Sequence, residues 1–170
     1  SRGLGEVYKG QAVIPRRRVL VLSTGTELVA PGTPLQPGQI YESNAVMLAA
    51  AVCDAGGEVV AAPMTADDVD ACRETLREHT GSGDLADLII TTGGVSAGAY
   101  EVVKEALSGT VEFVKVAMQP GMPQGAGVGV RTPYITLRGN QVAPPLWVHV
   151  CIRPADRRML KRIRKARRKW

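Results

Sequence analysis

Apolar residues fall along this chain in short, dense runs separated by glycine, proline and polar clusters. RRVLVLST (17–24) is a β-branched, apolar run that stops at Gly25, the pattern of a buried strand. EVVAAP (58–63), ADLIITT (86–92), VEFVKVAM (111–118) and YITL (134–137) repeat that pattern and predict four more strands. Between them lie segments with helical signatures. SNAVMLAAAVCDAGG predicts a helix from an N-cap at Ser43 or Asn44 to Gly56 and Gly57, apolar all round in its middle and so expected to be covered on both sides. TADDVDACRETLREH predicts a second helix with acids in its first turn, and AYEVVKEALSG a third. PGTPLQPGQ (31–39) and QPGMPQGAGVGVRTP read as Pro/Gly loops.

Alternation of uniformly apolar strands with helices predicts an α/β fold, a three-layer α/β/α sandwich around a mostly parallel sheet. The expected division is a lead-in segment over 1–18, the α/β domain over 19–152 and a basic C-terminal helix over 153–170. Ile152, Ala155, Met159, Ile163, Ala166 and Trp170 give that last helix an apolar stripe with basic flanks. It reads either as a solvated connector or as a contact for a partner, a membrane surface or RNA.

Charge changes the picture less than its total suggests. The net charge is +5, yet residues 19–152 hold 6 Lys/Arg against 14 Asp/Glu, a net −8. The basic excess sits in Arg16, Arg17, Arg18 and the tail, so the body does not read as a nucleic-acid binder. No apolar stretch approaches about 20 residues, which predicts no membrane span. The polar start, SRGLGEVYKG, lacks the apolar core of a secretory signal, and Cys53, Cys72 and Cys151 are spaced like reduced thiols, so a cytoplasmic location is expected.

Candidate chemistry gathers where strands end. In parallel sheets ligands sit beyond the carboxyl ends of the strands. Gly93 and Gly94 leave one strand there and lead through Ser96 toward a helix, a turn that either is merely tight or exposes N–H groups to a phosphate or other oxyanion. Ser23, Thr24, Gly25, Thr26 and Glu27 occupy the equivalent place after the first strand. Glu27 with Asp67 and Asp68 could offer oxygen ligands to Mg²⁺, or the acids could simply partner a helix dipole. No dinucleotide fingerprint or P-loop is present, and His79 and His149 form no catalytic or zinc pattern.

VLSTGTELVAPGTPLQPGQIYESN, TTGGVSAGAYEVVKEAL, VAMQPGMPQG and RGNQVAPP, in this order and spacing, resemble the molybdopterin molybdotransferase family, from about Arg18 to Leu160. The resemblance implies molybdenum cofactor biosynthesis. Thr24, Gly25, Glu27, Asp67, Gly93, Gly94 and Ser96 would line a pocket for molybdopterin or adenylylated molybdopterin. Glu27, Asp67 and Ser96 would take the catalytic roles, and Glu27 with Asp67 or Asp68 would hold Mg²⁺. Gln119, Pro120 and Gly121 would approach molybdate, with Gly139 and Asn140 shaping the far side. A homo-oligomer, dimer or trimer, is implied, since a neighbouring subunit completes the site in this family.

Departures from the family pattern bear on activity. Where members often have KPGKP this chain has QPGMP, so Gln119 and Met122 replace two lysines. PGNP is replaced by RGNQ, which introduces Arg138, and an acid usual after GGVS-x-G is Ala99, with Glu101 nearby. Two functions therefore compete. One is an enzyme that inserts molybdate; the other is a shortened, inactive relative that binds pterin, nucleotide or a partner.

Overall fold

The computed structural model describes residues 15–80, 86–94, 101–117, 123–129 and 132–140. The expected lead-in segment and C-terminal helix lie almost wholly outside them. The main sheet is built on β1 (Arg18–Thr24), whose residues from Val19 onward are buried. β6 (Leu88–Thr92) pairs with β1 in parallel, from Val19↔Leu88 to Ser23↔Thr92. β9 (Pro133–Leu137) continues in parallel beside β6. On the other side of β1 run β4 (Glu58–Ala61) and β5 (Met64–Thr65), again parallel.

The strand predicted over 58–63 thus ends at Ala61, and a separate strand begins beyond it at Met64. The register of β4 on β1 shifts between Val19 and Leu20, and Pro63, which has no N–H to give, sits at the break. Pro63 still accepts from Ser23 N–H at 3.1 Å, which keeps the second half against β1.

The far edge corrects a second expectation. QPGMPQGAGV was read as loop, yet Pro123–Val128 forms β8, antiparallel to both β9 and β7 (Val111–Lys115). Glycine hid it from propensity. A Cβ on Gly125 would collide with the Phe113 ring and Thr136, and one on Gly127 with the backbone of Thr110 and Val111. The sheet is therefore mixed, with a parallel centre and an antiparallel edge.

Period-two alternation divides the core. Leu20, Leu22, Ile89 and Tyr134 face α2 (Val69–Thr80) and α3 (Val102–Ala106), packing on Cys72, Leu76, Val102 and Val103. Val19, Val21, Ile90 and Leu137 face α1 (Asn44–Asp54), packing on Ala45, Leu48 and Val52. These are the three layers that the run of apolar strands predicted. The expectation that α1 is covered on both sides is not met: Val46 is 62% exposed. Its exposed positions are Val46, Ala50, Cys53 and Asp54, and helix formation favours an alanine whether buried or not.

α1 ends at Gly56, where φ is +96°, as the sequence suggested. Its start differs. Ser43 is the N-cap residue but makes no side-chain cap; instead Ala45 N–H donates to Glu42 Oε1 at 2.7 Å. α2 follows the expected rule, since Ala71 N–H donates to Asp68 Oδ1 at 2.7 Å.

Burial pushes the Cys72 thiol up to about 11 from 9.0, and burial also raises the Tyr134 phenol. Both raised acids favour the folded state while protonated; for Cys72 that stabilisation is complete below pH 9 and is lost as pH climbs through about 11. Two units correspond to at most about 2.7 kcal/mol for the thiol. Chemical denaturation from pH 8 to 11 should show a steep alkaline loss that Cys72→Ala flattens.

Candidate functional site

The carboxyl ends of β1, β6 and β9 open into one cavity of about 340 Å³. That lies at the small end of the range for small-molecule sites. Its wall takes Thr24, Gly25 and Glu27 from the exit of β1, Gly93 and Gly94 from β6, and Arg138, Gly139 and Asn140 from β9. Glu42, Ser43 and Asn44 close one side and Asp67 another.

The glycine turn is there to let strand ends meet. Gly93 and Gly94 have φ of +95° and +60°, a region L side chains rarely adopt. A Cβ on Gly93 would strike the Thr24 carbonyl and come within 2.7 Å of its hydroxyl; one on Gly94 would lie 2.8 Å from the Val103 side chain. Gly93 N–H is not offered to a ligand, because it donates to the Leu137 carbonyl at 3.1 Å. It ties β6 to β9 instead. Thr24 Oγ1, buried under this turn, has no hydrogen-bond partner.

The insertion after β1 is closed at its base. β2 (Leu28–Val29) and β3 (Ile40–Tyr41) pair in parallel, with Ile40 N–H donating to Glu27 O and Glu42 N–H to Val29 O, each at 2.9 Å. This ribbon, two residues per strand, was below what periodicity can reveal. It delivers Glu42 and Asn44 to the cavity.

Asn44 joins three elements. Its Nδ2 donates to Gly139 O at 2.8 Å and to Thr92 Oγ1 at 3.3 Å, while Thr92 Oγ1 donates to Arg138 O at 3.4 Å. A backbone carbonyl only accepts, so the amide orientation is fixed. Asn44 Oδ1 is left buried with no partner.

On the acid side, Thr26 N–H donates to Asp67 Oδ2 at 3.2 Å and Asp67 N–H to Thr26 Oγ1 at 3.2 Å. This reciprocal pair holds the Glu27 turn against the β5–α2 loop. Glu27 and Asp67 share the cavity wall; Asp68 is not in it and its carboxylate caps α2. No group of three or more His, Cys, Asp or Glu that could hold a metal occurs among the described residues. Counting Glu42, the described wall carries three carboxylates and one guanidinium, that of Arg138.

Of the residues picked from sequence, Thr24, Gly25, Glu27, Asp67, Gly93, Gly94, Gly139 and Asn140 meet in this wall. Ser96, Gln119, Pro120 and Gly121 lie outside the described residues. Glu42 and Asn44 were not chosen from sequence as site residues. A carboxylate and an amide flanking an N-cap read as capping chemistry, and nothing in one dimension sets them beside Gly139.

Such a fold and cavity define an α/β ligand-binding domain whose site is made by strand exits. Residues 20–158 match the family described as a probable molybdopterin binding domain, and the chain belongs to it. A molybdopterin molybdenumtransferase 2 of Mycobacterium tuberculosis is 59% identical over 150 residues, which are 84% of this chain and 36% of that protein. A molybdopterin molybdenumtransferase of a Nostoc species is 35% identical over 153 residues, 86% of this chain and 34% of that protein. The chain thus spans about a third of the length of these relatives. A molybdopterin biosynthesis protein from Pyrococcus horikoshii superposes with TM-score 0.60 at 30% identity, covering 73% of this chain and 30% of that one. One from Mycobacterium abscessus, at 15% identity and TM-score 0.65, shares the fold over 90% of this chain and 99% of its own. No helix among the described residues is long and apolar enough to cross a membrane.

The glycine argument has a direct check. Gly32 has φ of +90° but nothing within 4 Å of an added Cβ, whereas Gly93 has both the strained φ and the collision. Gly32→Ala should cost about 1–2 kcal/mol from backbone strain alone. Gly93→Ala should lower the denaturation midpoint further, and equal losses would show that the close approach to Thr24 carries no weight.

Proposed function

We propose that this domain binds adenylylated molybdopterin with Mg²⁺, as the pterin-binding centre of a molybdopterin molybdenumtransferase acting in molybdenum cofactor biosynthesis. The observation that carries the reading is the single cavity at three strand exits, with Glu27 and Asp67 in its wall, in a chain of this family. Two carboxylates without a third protein ligand suit Mg²⁺, which commonly keeps waters and shares substrate phosphates. Glu27 and the Asp67 oxygen not bonded to Thr26 would hold it, and the metal would offset phosphate charge beside an acidic wall.

The chain's own residues have definable work. Thr26 fixes the Asp67 carboxylate, and Asn44 clamps the Gly139 loop, so the walls on either side of a ligand are preorganised. Arg138 supplies positive charge for an oxyanion. Ser96 is proposed to hydrogen-bond the ligand, and Gln119, Pro120 and Gly121 to border the molybdate position. In the complete reaction water attacks the adenylate phosphorus, the anhydride P–O bond breaks with the pterin's phosphate as leaving group, and AMP is released with a proton to solvent; two Mo–S bonds form as one molybdate oxygen leaves as water carrying the two dithiol protons. A homo-oligomer in which a neighbouring copy completes the site belongs to the same proposal. The sequence QPGM, which lacks the lysines usual at 119 and 122, favours a second reading in which the domain binds pterin without inserting molybdate.

Calorimetric titration with adenylylated molybdopterin tests the reading. Binding should weaken when a chelator replaces Mg²⁺, and Glu27→Gln or Asp67→Asn should remove most of that metal dependence. Equal affinity with and without Mg²⁺ would exclude the metal role.

Insertion activity gives a second test. Each charge-assisted contact is worth about 1.5–3 kcal/mol, or roughly one to two decades of affinity. Reconstitution of an apo-molybdoenzyme should therefore be poor with this chain and improve when Gln119 and Met122 are both changed to Lys. Turnover already equal to that of a lysine-bearing relative would rule out the non-inserting reading.

A further inference from the structure

Glu42 is a buried carboxylate that no cation among the described residues answers. It is 7% exposed, and no ion pair to it occurs among the described residues. Its bonds are uneven. Ser23 Oγ donates to Oε1 at 3.0 Å and Ala45 N–H donates to the same oxygen at 2.7 Å. Those two donors occupy Oε1, while Oε2 takes no hydrogen bond from the described residues. A carboxylate so largely buried, with no cation beside it among those residues, is costly to hold. A helix cap alone would not need it, since Ser, Thr or Asn does that work from a shorter side chain.

The neighbourhood repeats the asymmetry. Asn44 stands in the same cavity wall with its nitrogen committed to Gly139 and Thr92, and its Oδ1 has no partner. One side of the cavity thus holds Glu42 Oε2, which no described residue donates to, and a buried Asn44 Oδ1 without a partner. The complement is a ligand edge with adjacent N–H donors. The aminopyrimidinone half of a pterin is such an edge, carrying the ring N3–H beside the exocyclic 2-amino group. Hydrogen bonds from such donors to a carboxylate are charge-assisted and strong.

We infer that Glu42 reads the aminopyrimidinone edge of the pterin and sets specificity for it; this rests on the molybdopterin-binding reading above. Replacing the 2-amino group by a carbonyl puts acceptor against acceptor, and a site built for a donor rejects the analogue that lacks it. The phosphates carry only acceptors, whereas the ribose hydroxyls of the adenylate can also donate to a carboxylate, so the preference is tested with pteridines that lack the adenylate.

The probes are pterin and lumazine, its 2,4-dioxo analogue, titrated by fluorescence into the 170-residue protein. Pterin should bind at least about ten-fold more tightly than lumazine. Glu42→Gln keeps an oxygen for Ser23 and Ala45 but places an N–H where Oε2 was, so it should bring the ratio near one without lowering the melting temperature. A variant that folds normally and keeps the wild-type ratio overturns the inference. If the variant does not fold, the wild-type protein decides, since a pterin-to-lumazine ratio near one overturns the inference equally. Binding of adenylylated molybdopterin without discrimination between the two pteridines refutes the role of Glu42 alone, whereas no binding of either refutes the functional reading with it.

Discussion

The approach of Gly93 to the Thr24 carbonyl sets the spacing on which the site depends. Parallel strands are about 4.8 Å apart, and their connecting loops ordinarily diverge as they leave the sheet. Here β6 turns back over the end of β1 through a residue that cannot carry a Cβ. Gly139 then comes close as well, since a Cβ there would lie 3.3 Å from the Gly93 Cα. Three strand exits are thereby gathered around one volume. With ordinary side chains at 93 and 139, the loops would separate and the cavity would open into a shallow face.

Much of this was readable in one dimension, and for identifiable reasons. β1 and β6 are buried on both faces, so each carries an unbroken apolar run, VLVL and LII, before its polar exit. α2 has a polar outer face and an Asp68 cap, which its sequence displays openly. β8 was missed because close contact with β7 and β9 demanded glycine, the residue that propensity assigns to loops. α1 is expected to be covered on both faces because its middle, VMLAAAVC, is apolar throughout, although Val46, Ala50 and Cys53 are exposed and an exposed alanine costs a helix nothing.

The site divides along the same line. Glycines at strand exits and acids at helix starts follow general rules of parallel sheets, so Gly93, Gly94, Glu27 and Asp67 could be picked from the sequence. Glu42 became visible only through its bond to Ser23 on β1, and Asn44 only through partners far along the chain. Asn44 reaches Gly139, 95 residues away, and no local pattern encodes that bond. Asp68 marks the converse, an acid beside Asp67 in sequence that faces its own helix instead.

The ribbon of β2 and β3 separates the loop at 30–39 from the cavity that its base helps to build. Chain closure depends only weakly on length, each doubling of a flexible loop adding about 0.6 kcal/mol. With its ends already fastened at Glu27–Ile40 and Val29–Glu42, this loop is a permissive graft point. A reporter peptide, an affinity tag or a tether to another domain could be spliced there while Glu42 keeps its station, which makes the outer loop the natural handle by which to label or immobilise the protein.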